Sequence, residues 1–407
     1  MSKSDVAEIT PTLIGQSILR KEDASLLTGR GEYVADIILP DMLHVAFVRS
    51  PYAHAKITGI NLSVAAAIPG VELSWSGIDV KPLCEGLLGT LDLDNFISTL
   101  QPLIAVDEVR FVGEIVAVIV ATSRRIAEDA ANFVHIDYDE LPVVANISEA
   151  REAENLANDQ VPGNLIHTAT RVDDNLDEVL AGASVIEHGV FHNNRISAAP
   201  METRGCVARY EWTSGLLTFW SSTQMPGLFR TLIATTLEIL EHTIEIRNPQ
   251  VGGGFGQKAH LFPEELIACI LSREICKPVS WIEDRQEHLL AATHAKDQTN
   301  DMTLAFNTDG EILAIRNFST TDSGAYNNLP WSAAIESTVG TASITGAYKI
   351  PLAYAECTEL ATNKCPIGAY RGVGWTAGQI ARETLLDRAA RKLKLSPFEI
   401  RRRNVIG

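Results

Sequence analysis

Cysteine pairs, long apolar runs and an excess of basic residues are all lacking from this 407-residue chain. The six cysteines form no Cys-x-x-Cys pair, so the sequence predicts neither a zinc knuckle nor an iron–sulfur cluster. No run approaches the about 18 apolar residues of a membrane-spanning helix, and Met1 to Pro11 lack the apolar stretch of a secretory signal. The formal net charge of −17 disfavours nucleic acid and anionic membranes as partners. We therefore expect a cytoplasmic protein that binds no nucleic acid and does not insert into membranes.

The chain does have enough apolar sequence, 46% of its residues, for two or more packed domains. Strand-type and helix-type patterns are interleaved along it, which predicts the α+β fold class. We predict a short N-terminal extension over residues 1–20 and an α+β domain over 21–145. A polar, alanine-rich connector is predicted over 146–164 and a second domain over 165–407.

Local patterns predict the elements around the informative segments. In the first domain we expect a strand over Phe111–Ala121, followed by a helix that begins after Thr122-Ser123 and reaches Ala131. In the second domain we expect a strand over Thr243–Arg247, a helix over His260–Ile275 and a strand over Pro278–Glu283.

Two glycine-rich turns with unrelated sequences are the most informative features of the chain. They are Val251–Lys258, which reads VGGGFGQK, and Ala369–Gly374, which reads AYRGVG. Glycines packed this densely remove the Cβ atoms from the backbone, so main-chain N–H groups can close around an anion or an oxo group. Arg371 in the second turn, predicted to be buried, offers a planar fork to the same kind of ligand.

The first turn also admits a dinucleotide-binding interpretation. Residues 254–259 fit G-x-G-x-x-A, and Glu283 follows at the distance where a dinucleotide fold places its ribose-binding acid. Taken alone the match is weak, because it explains neither Gln224 nor Arg371. A NAD-binding dehydrogenase therefore stays open as an alternative.

Several strings together resemble the large subunit of the molybdenum hydroxylases, the family of xanthine dehydrogenase, aldehyde oxidase and aerobic carbon monoxide dehydrogenase. They occur in the family's order and span nearly the whole chain: Gly15–Asp23, Thr28–Tyr33, Arg49–Ala55, Ser222–Pro226, Val251–Lys258, Ile282–Arg285 and Gly368–Gly372. The resemblance implies a hammerhead domain followed by the first molybdopterin-binding domain.

The resemblance also implies a cofactor and a set of residues around it. The cofactor is Mo-molybdopterin, in bacteria usually as the cytosine dinucleotide, with [2Fe-2S] clusters and FAD on partner subunits. The residues around the metal are Gln224, Phe255 and Arg371, and the wider cofactor-binding set adds Gly253, Gly254, Gly256 and Gly372. For Arg371 a structural alternative stays open, a salt bridge to Glu383 or Asp387. Glu202, in another family string, is expected to serve a turn through backbone hydrogen bonds.

The chain departs from its relatives in the expected substrate pocket. Purine-oxidising members carry a glutamate where this chain has Ala259, and their arginine and phenylalanine over the substrate match Val339 and Val373. The copper-binding cysteine of carbon monoxide dehydrogenase matches Gly372. We therefore expect an aldehyde or an N-heterocycle as substrate, with water as the oxygen source, and no copper.

The family's general base is a glutamate in the second half of the large subunit, and no carboxylate of this chain matches it. The expectation is that the chain contains no catalytic residue, lacks the second molybdopterin-binding domain and is inactive alone. A partner polypeptide would then supply that half and complete the site. A non-catalytic or truncated scaffold subunit is the remaining alternative.

Overall fold

The computed structural model describes residues 13–407, so the predicted extension 1–20 lies largely outside the described residues. The strands are β1 (Leu43–Arg49), β2 (Ala55–Asn61), β3 (Val71–Ser76), β4 (Leu87–Gly89), β5 (Thr99–Gln101), β6 (Glu108–Val109), β7 (Ile115–Ala121), β8 (His135–Glu140), β9 (Leu165–Val172), β10 (Val185–Ser197), β11 (Gly205–Glu211), β12 (Leu216–Ser221), β13 (Ile244–Arg247), β14 (Val279–Ile282), β15 (His294–Phe306), β16 (Ile312–Gly324) and β17 (Leu352–Ala361).

The helices lie between these strands, and together the two element types confirm the α+β fold class. They are α1 (Asp23–Leu27), α2 (Ser63–Ala66), α3 (Gly77–Val80), α4 (Arg124–Ala131), α5 (Ile147–Glu152), α6 (Leu176–Gly182), α7 (Pro226–Thr236), α8 (Pro263–Ile275), α9 (Arg285–Ala291), α10 (Ala334–Ala342), α11 (Trp375–Lys392) and α12 (Pro397–Asn404). None of those between residues 13 and 407 has both the length and the apolar content needed to span a bilayer.

Strand β7 forms because its sequence, IVAVIVA, is continuously apolar, and every one of its residues is buried. The strand was predicted from Phe111 but begins at Ile115, because the chain first turns at Gly113 with φ +103°. Helix α4 follows as predicted, and the Ser123 hydroxyl caps it by accepting the N–H of Ile126 at 3.3 Å.

One seven-stranded sheet, in the order β13-β12-β11-β14-β1-β7-β3, runs through both predicted domains. The two predicted domains are joined in this sheet by the parallel pairing of β1 with β14, in which Leu43 lies opposite Val279. Apolar residues of the sheet, including Phe219 and Trp281, form a core with residues of α7 and α8 such as Phe229 and Ile267. The glycine turn between β13 and α8 is therefore attached to the edge of a large, rigid sheet.

A second sheet, in the order β10-β15-β16-β17-β9, supports the other glycine turn. Helix α11, which follows that turn, packs on β10 and β15, and α10 packs on β17. Buried apolar residues such as Phe306, Leu385 and Leu386 fill the space between them. Burial of this helix fixes the position at which the second turn must end.

The segment predicted as a connector, residues 146–164, is packed against the second sheet. Ala157 and Val161 are fully buried and share a core with Ile166 and Leu360. The Asn164 side chain, also buried, accepts the N–H of Ala157 at 2.9 Å. The residues therefore do not behave as a solvated linker, and the domain boundaries at 145 and 165 stay a prediction.

A buried network of charges joins the two predicted domains. Arg49 on β1 binds Glu264 on α8 at 2.8 Å, and Arg204 before β11 binds the same carboxylate at 3.1 Å. Arg204 also donates its main-chain N–H to Glu283 after β14 at 3.0 Å. Burial alone would raise the pKa of Glu283, but the charge of Arg204 and a hydrogen bond from His288 lower the pKa to about 2.

Replacing Arg204 with methionine should destabilise the fold by about 3–5 kcal/mol, because two buried carboxylates would lose their shared cation. A carboxyl with a lowered pKa contributes stability above its ordinary pKa of about 4.3 and loses it as the pH falls toward 2. The difference between wild type and variant should therefore shrink on acidification through that window. Denaturant unfolding at several pH values measures it.

The matched control is Arg247→Met, which removes an exposed arginine paired with Glu245 at 3.0 Å. That pair should contribute at most about 1 kcal/mol. Equal losses for the two variants would contradict the assignment of the buried network as the connection between domains.

Candidate functional site

The first glycine turn follows β13 and is held in a conformation that needs glycine. Gly253 and Gly256 have φ values of +98° and +104°, and Phe255 between them has φ +56°. A Cβ on Gly254 would lie 2.4 Å from the Gln224 Oε1 atom, so only glycine allows this approach. The three glycines are thus required by backbone geometry and by close contact.

Gln224 lies between β12 and α7 and holds the first turn in place. Its side-chain Oε1 atom accepts a hydrogen bond from the N–H of Gly256 at 2.8 Å. Its main-chain N–H donates to the Lys258 carbonyl at 2.9 Å. Because the main-chain N–H can only donate, the oxygen of the amide is the atom that faces the turn. The amide nitrogen, a donor, remains available to a ligand.

The second turn is a β-turn over Tyr370–Val373 with Arg371 and Gly372 in its central positions. The N–H of Val373 donates to the Tyr370 carbonyl at 2.7 Å, and Gly372 has φ +94°, the geometry of a type II turn. The N–H of Arg371 donates to the Phe255 carbonyl at 2.8 Å. The structure therefore brings Gln224, the first turn and Arg371 together, as the sequence predicted.

His260 connects the second turn to the first, and its role was not predicted from the sequence. Its Nε2 accepts the N–H of Ala369 at 2.8 Å, and its Nδ1 lies 3.0 Å from the Leu329 carbonyl. The imidazole is fully buried, which lowers its pKa to about 4. It must be neutral here, because a protonated Nε2 would face a second donor.

Glu202 has the structural role that was predicted for it. Its Oε2 atom accepts the N–H of Gly252 and a hydrogen bond from the Lys258 ammonium, both at 2.7 Å. Burial lowers the pKa of Lys258, while the Glu202 carboxylate opposes that shift. Glu202 therefore links Gly252 and Lys258, near the two ends of the first turn.

The open side of the two turns carries unpaired donors. Within residues 13–407 the N–H groups of Gly254 and Phe255 form no hydrogen bond. Arg371 is exposed, not buried as predicted, and forms no salt bridge with any carboxylate in that part of the chain. N–H groups and a guanidinium without partners suit an anionic or oxo-bearing ligand.

Two sequence-based alternatives fail on this geometry. Glu383 and Asp387 both bind Arg401 at 2.8 Å, so the proposed salt bridge to Arg371 is wrong. Glu283 is buried in its ion pair with Arg204, so it is not free to bind a ribose. In addition, β13 and β14 are not neighbours in the sheet, which is unlike a dinucleotide-binding unit.

Two family models match successive segments of the chain. Residues 157–405 match the molybdopterin cofactor-binding domain, and residues 28–142 match the a/b hammerhead domain of aldehyde oxidase and xanthine dehydrogenase. The chain belongs to the molybdenum hydroxylase large-subunit family. The predicted order, a hammerhead domain and then a molybdopterin-binding domain, is confirmed.

Individual members of the family agree with this assignment. The nicotine 6-hydroxylase large subunit of Paenarthrobacter nicotinovorans is 44% identical over 400 residues, 98% of this chain and 49% of the relative. The carbon monoxide dehydrogenase large chain of Hydrogenophaga pseudoflava is 34% identical over 95% of this chain and 49% of its own. The crystal structure of quinoline 2-oxidoreductase from Pseudomonas putida 86 is 58% identical with a TM-score of 0.94, over 97% of this chain and 50% of that one. The chain thus spans about half the length of these relatives.

The residues at which the chain departs from the family's purine-oxidising members differ in exposure. Ala259 is buried behind the first turn, whereas Val373 is half-buried at the end of the second turn with φ +47°. Val339 on α10 lines an open apolar groove of about 220 Å³ with Trp331. Their contact with substrate stays a prediction. No group of three or more His, Cys, Asp or Glu side chains in residues 13–407 is placed to bind a metal directly.

Replacing His260 with phenylalanine should leave the Ala369 N–H and the Leu329 carbonyl unpaired, at about 1–3 kcal/mol of stability for each buried group. The lowered pKa gives the sign of the pH dependence. Wild-type stability from this histidine is complete above about pH 6.5 and is lost as the pH falls toward 4. The difference in unfolding free energy between wild type and variant should therefore narrow over that range.

Denaturant titrations at pH 7.5, 6 and 4.5 check this expectation. His135→Phe is the control, because that side chain is 74% exposed on β8 and its replacement should change the unfolding free energy little. A constant gap between wild type and His260→Phe across the three pH values would mean that the imidazole does not act through its neutral form.

Proposed function

We propose that this chain is the molybdopterin-binding part of a molybdenum hydroxylase that oxidises the carbon next to nitrogen in an N-heterocycle, or an aldehyde carbon, with oxygen taken from water. The observation that carries the proposal is the convergence of Gln224, the Gly254–Gly256 turn and Arg371 on one open surface. The relatives named for nicotine and quinoline support the heterocycle class. The alanine and valine at positions 259 and 373 are in keeping with a substrate that has few polar groups.

The residues present fit the cofactor. Bound Mo-molybdopterin, which we propose in its cytosine dinucleotide form, supplies the two-electron oxidation of the substrate carbon. The N–H groups of Gly254 and Phe255 and the amide nitrogen of Gln224 are donors for its oxygen-bearing groups. Arg371 would hold its negative charge. Because the glycines have no Cβ atom, no side chain stands between these N–H groups and the cofactor.

Other components of the working enzyme are also part of the proposal. The relatives are named as large subunits or large chains, and one as the gamma subunit of a dehydrogenase complex. We propose that [2Fe-2S] and FAD subunits take the electrons onward. We propose further that a second molybdopterin-binding half, with the general base, completes the site.

Arg371→Ala should lower cofactor occupancy much more than fold stability. Removing the cation that faces an anionic ligand should cost about 2–5 kcal/mol of binding, whereas an exposed arginine without a salt bridge adds little to folding. The measurements are the molybdenum and pterin contents of the assembled enzyme and its melting temperature.

The matched control is Arg402→Ala, which removes another exposed arginine, one paired with Glu399 at 2.8 Å far along α12. It should leave the cofactor content unchanged. If Arg371→Ala and Gln224→Ala both retain wild-type metal content and turnover, the non-catalytic scaffold becomes the better description of this chain.

The assembled enzyme should prefer quinoline or a similar apolar heterocycle to xanthine by at least about 100-fold in kcat/KM. Each polar group of a purine left without a partner in a closed site costs about 1–3 kcal/mol, so two such groups suffice for this ratio. Both substrates are assayed with the same artificial electron acceptor, so that only the substrate differs. Xanthine as the better substrate would show that purine-reading groups come from elsewhere in the enzyme.

A further inference from the structure

Lys296 lies directly beneath the turn that carries Arg371. It is 5% exposed, and its Nζ atom donates to the Val373 carbonyl at 2.5 Å and lies 3.4 Å from the Tyr370 carbonyl. These two carbonyls belong to the first and last residues of the β-turn. One side chain thus holds both ends of the turn at whose tip Arg371 stands.

The third neighbour of the Lys296 Nζ is the Glu336 carboxylate on α10, at 3.4 Å. An ammonium group has three N–H donors, and this site offers three acceptors. Burial lowers the pKa of Lys296 and raises that of Glu336 to about 7, and each charge opposes the shift of the other. Even a neutral amine would keep two hydrogens for the two carbonyls, so the support of the turn does not depend on the protonation state.

The backbone around Lys296 is distorted in a way that brings the side chain to this position. Lys296 has φ +72° and Asp297 has φ +39°, two successive left-handed residues near the start of β15. Such residues cost free energy in a strand and occur where the surroundings require them. The Asp297 carboxylate instead forms ion pairs with Arg195 at 3.1 Å and Lys364 at 3.2 Å. The strand is thus distorted at the residue that reaches the Arg371 turn.

We propose that Lys296 is a positioning residue, which fixes the Tyr370–Val373 turn and thereby aims Arg371 at the bound cofactor. The fixing of the turn follows from contacts within this chain alone. Only what Arg371 is aimed at rests on the proposed function. Lys296 itself touches neither substrate nor cofactor in this assignment.

The test is Lys296→Met in the assembled enzyme, read first by amide hydrogen exchange. Peptides that cover residues 370–374 should exchange at least tenfold faster, because the N–H of Val373 is bonded within the loosened turn. The Ala369 amide, which is bonded to His260, should keep its protection. Lys277→Met is the control: it removes a lysine that pairs with Glu72 at 3.7 Å and contacts neither glycine turn, and it should leave residues 370–374 unchanged.

The second reading is pterin content in a double-variant cycle. If Lys296 acts through Arg371, the combined Lys296→Met and Arg371→Ala variant should contain no less cofactor than Arg371→Ala alone, whereas a general loss of stability would add to it. If Lys296→Met does not fold, Lys296→Gln serves the same measurements with a shorter side chain that cannot reach both carbonyls.

Exchange at 370–374 within twofold of wild type would overturn the proposal, and so would additive losses of pterin. Faster exchange together with a full pterin content in both Lys296→Met and Arg371→Ala would leave Lys296 as the support of the turn. The same result would reject the proposed function, so failure of the Lys296 proposal can be distinguished from failure of the proposed function.

Discussion

Main-chain hydrogen bonds between distant segments are the constraint on which the candidate site depends. The Phe255 carbonyl accepts the N–H of Arg371, and the Gly256 N–H donates to Gln224, so three stretches far apart in sequence are held at one place. Because these bonds use backbone groups and one amide oxygen, they leave the Arg371 guanidinium and the Gln224 amide nitrogen free. The site is organised before any ligand is bound, which limits the cost of ordering on binding.

The sequence predicted the members of this site but not what supports them. Glycine density and the family strings indicated Gln224, the first turn and Arg371, because a close backbone approach excludes every other residue type. His260 and Lys296 were missed, although both bind the second turn. Neither has a neighbour in sequence that reveals its role, since the main-chain groups that they bind lie between 69 and 109 residues away in the sequence.

Much of the fold was also predictable from local pattern. The apolar run of β7 and the serine cap of α4 formed as expected, and β14 lies within its predicted range. The segment 146–164 was predicted to be a connector because its composition is polar on average, and that average did not reveal that Ala157 and Val161 pack in a buried core. Arg371 was expected to be buried because of its glycine neighbours. Exposure depends on which elements cover a turn, and local sequence does not record that.

The parallel pairing of β1 with β14 has a consequence for how the chain loses its structure. Strand β14 lies between β11 and β1, so the hammerhead and molybdopterin-binding domains recognised by family models share one continuous hydrogen-bonded sheet. Separating them would expose the edge of β1 and leave Arg49 without Glu264. The segments that the two family models match are thus not independent folding units. In unfolding they should behave as a single cooperative body.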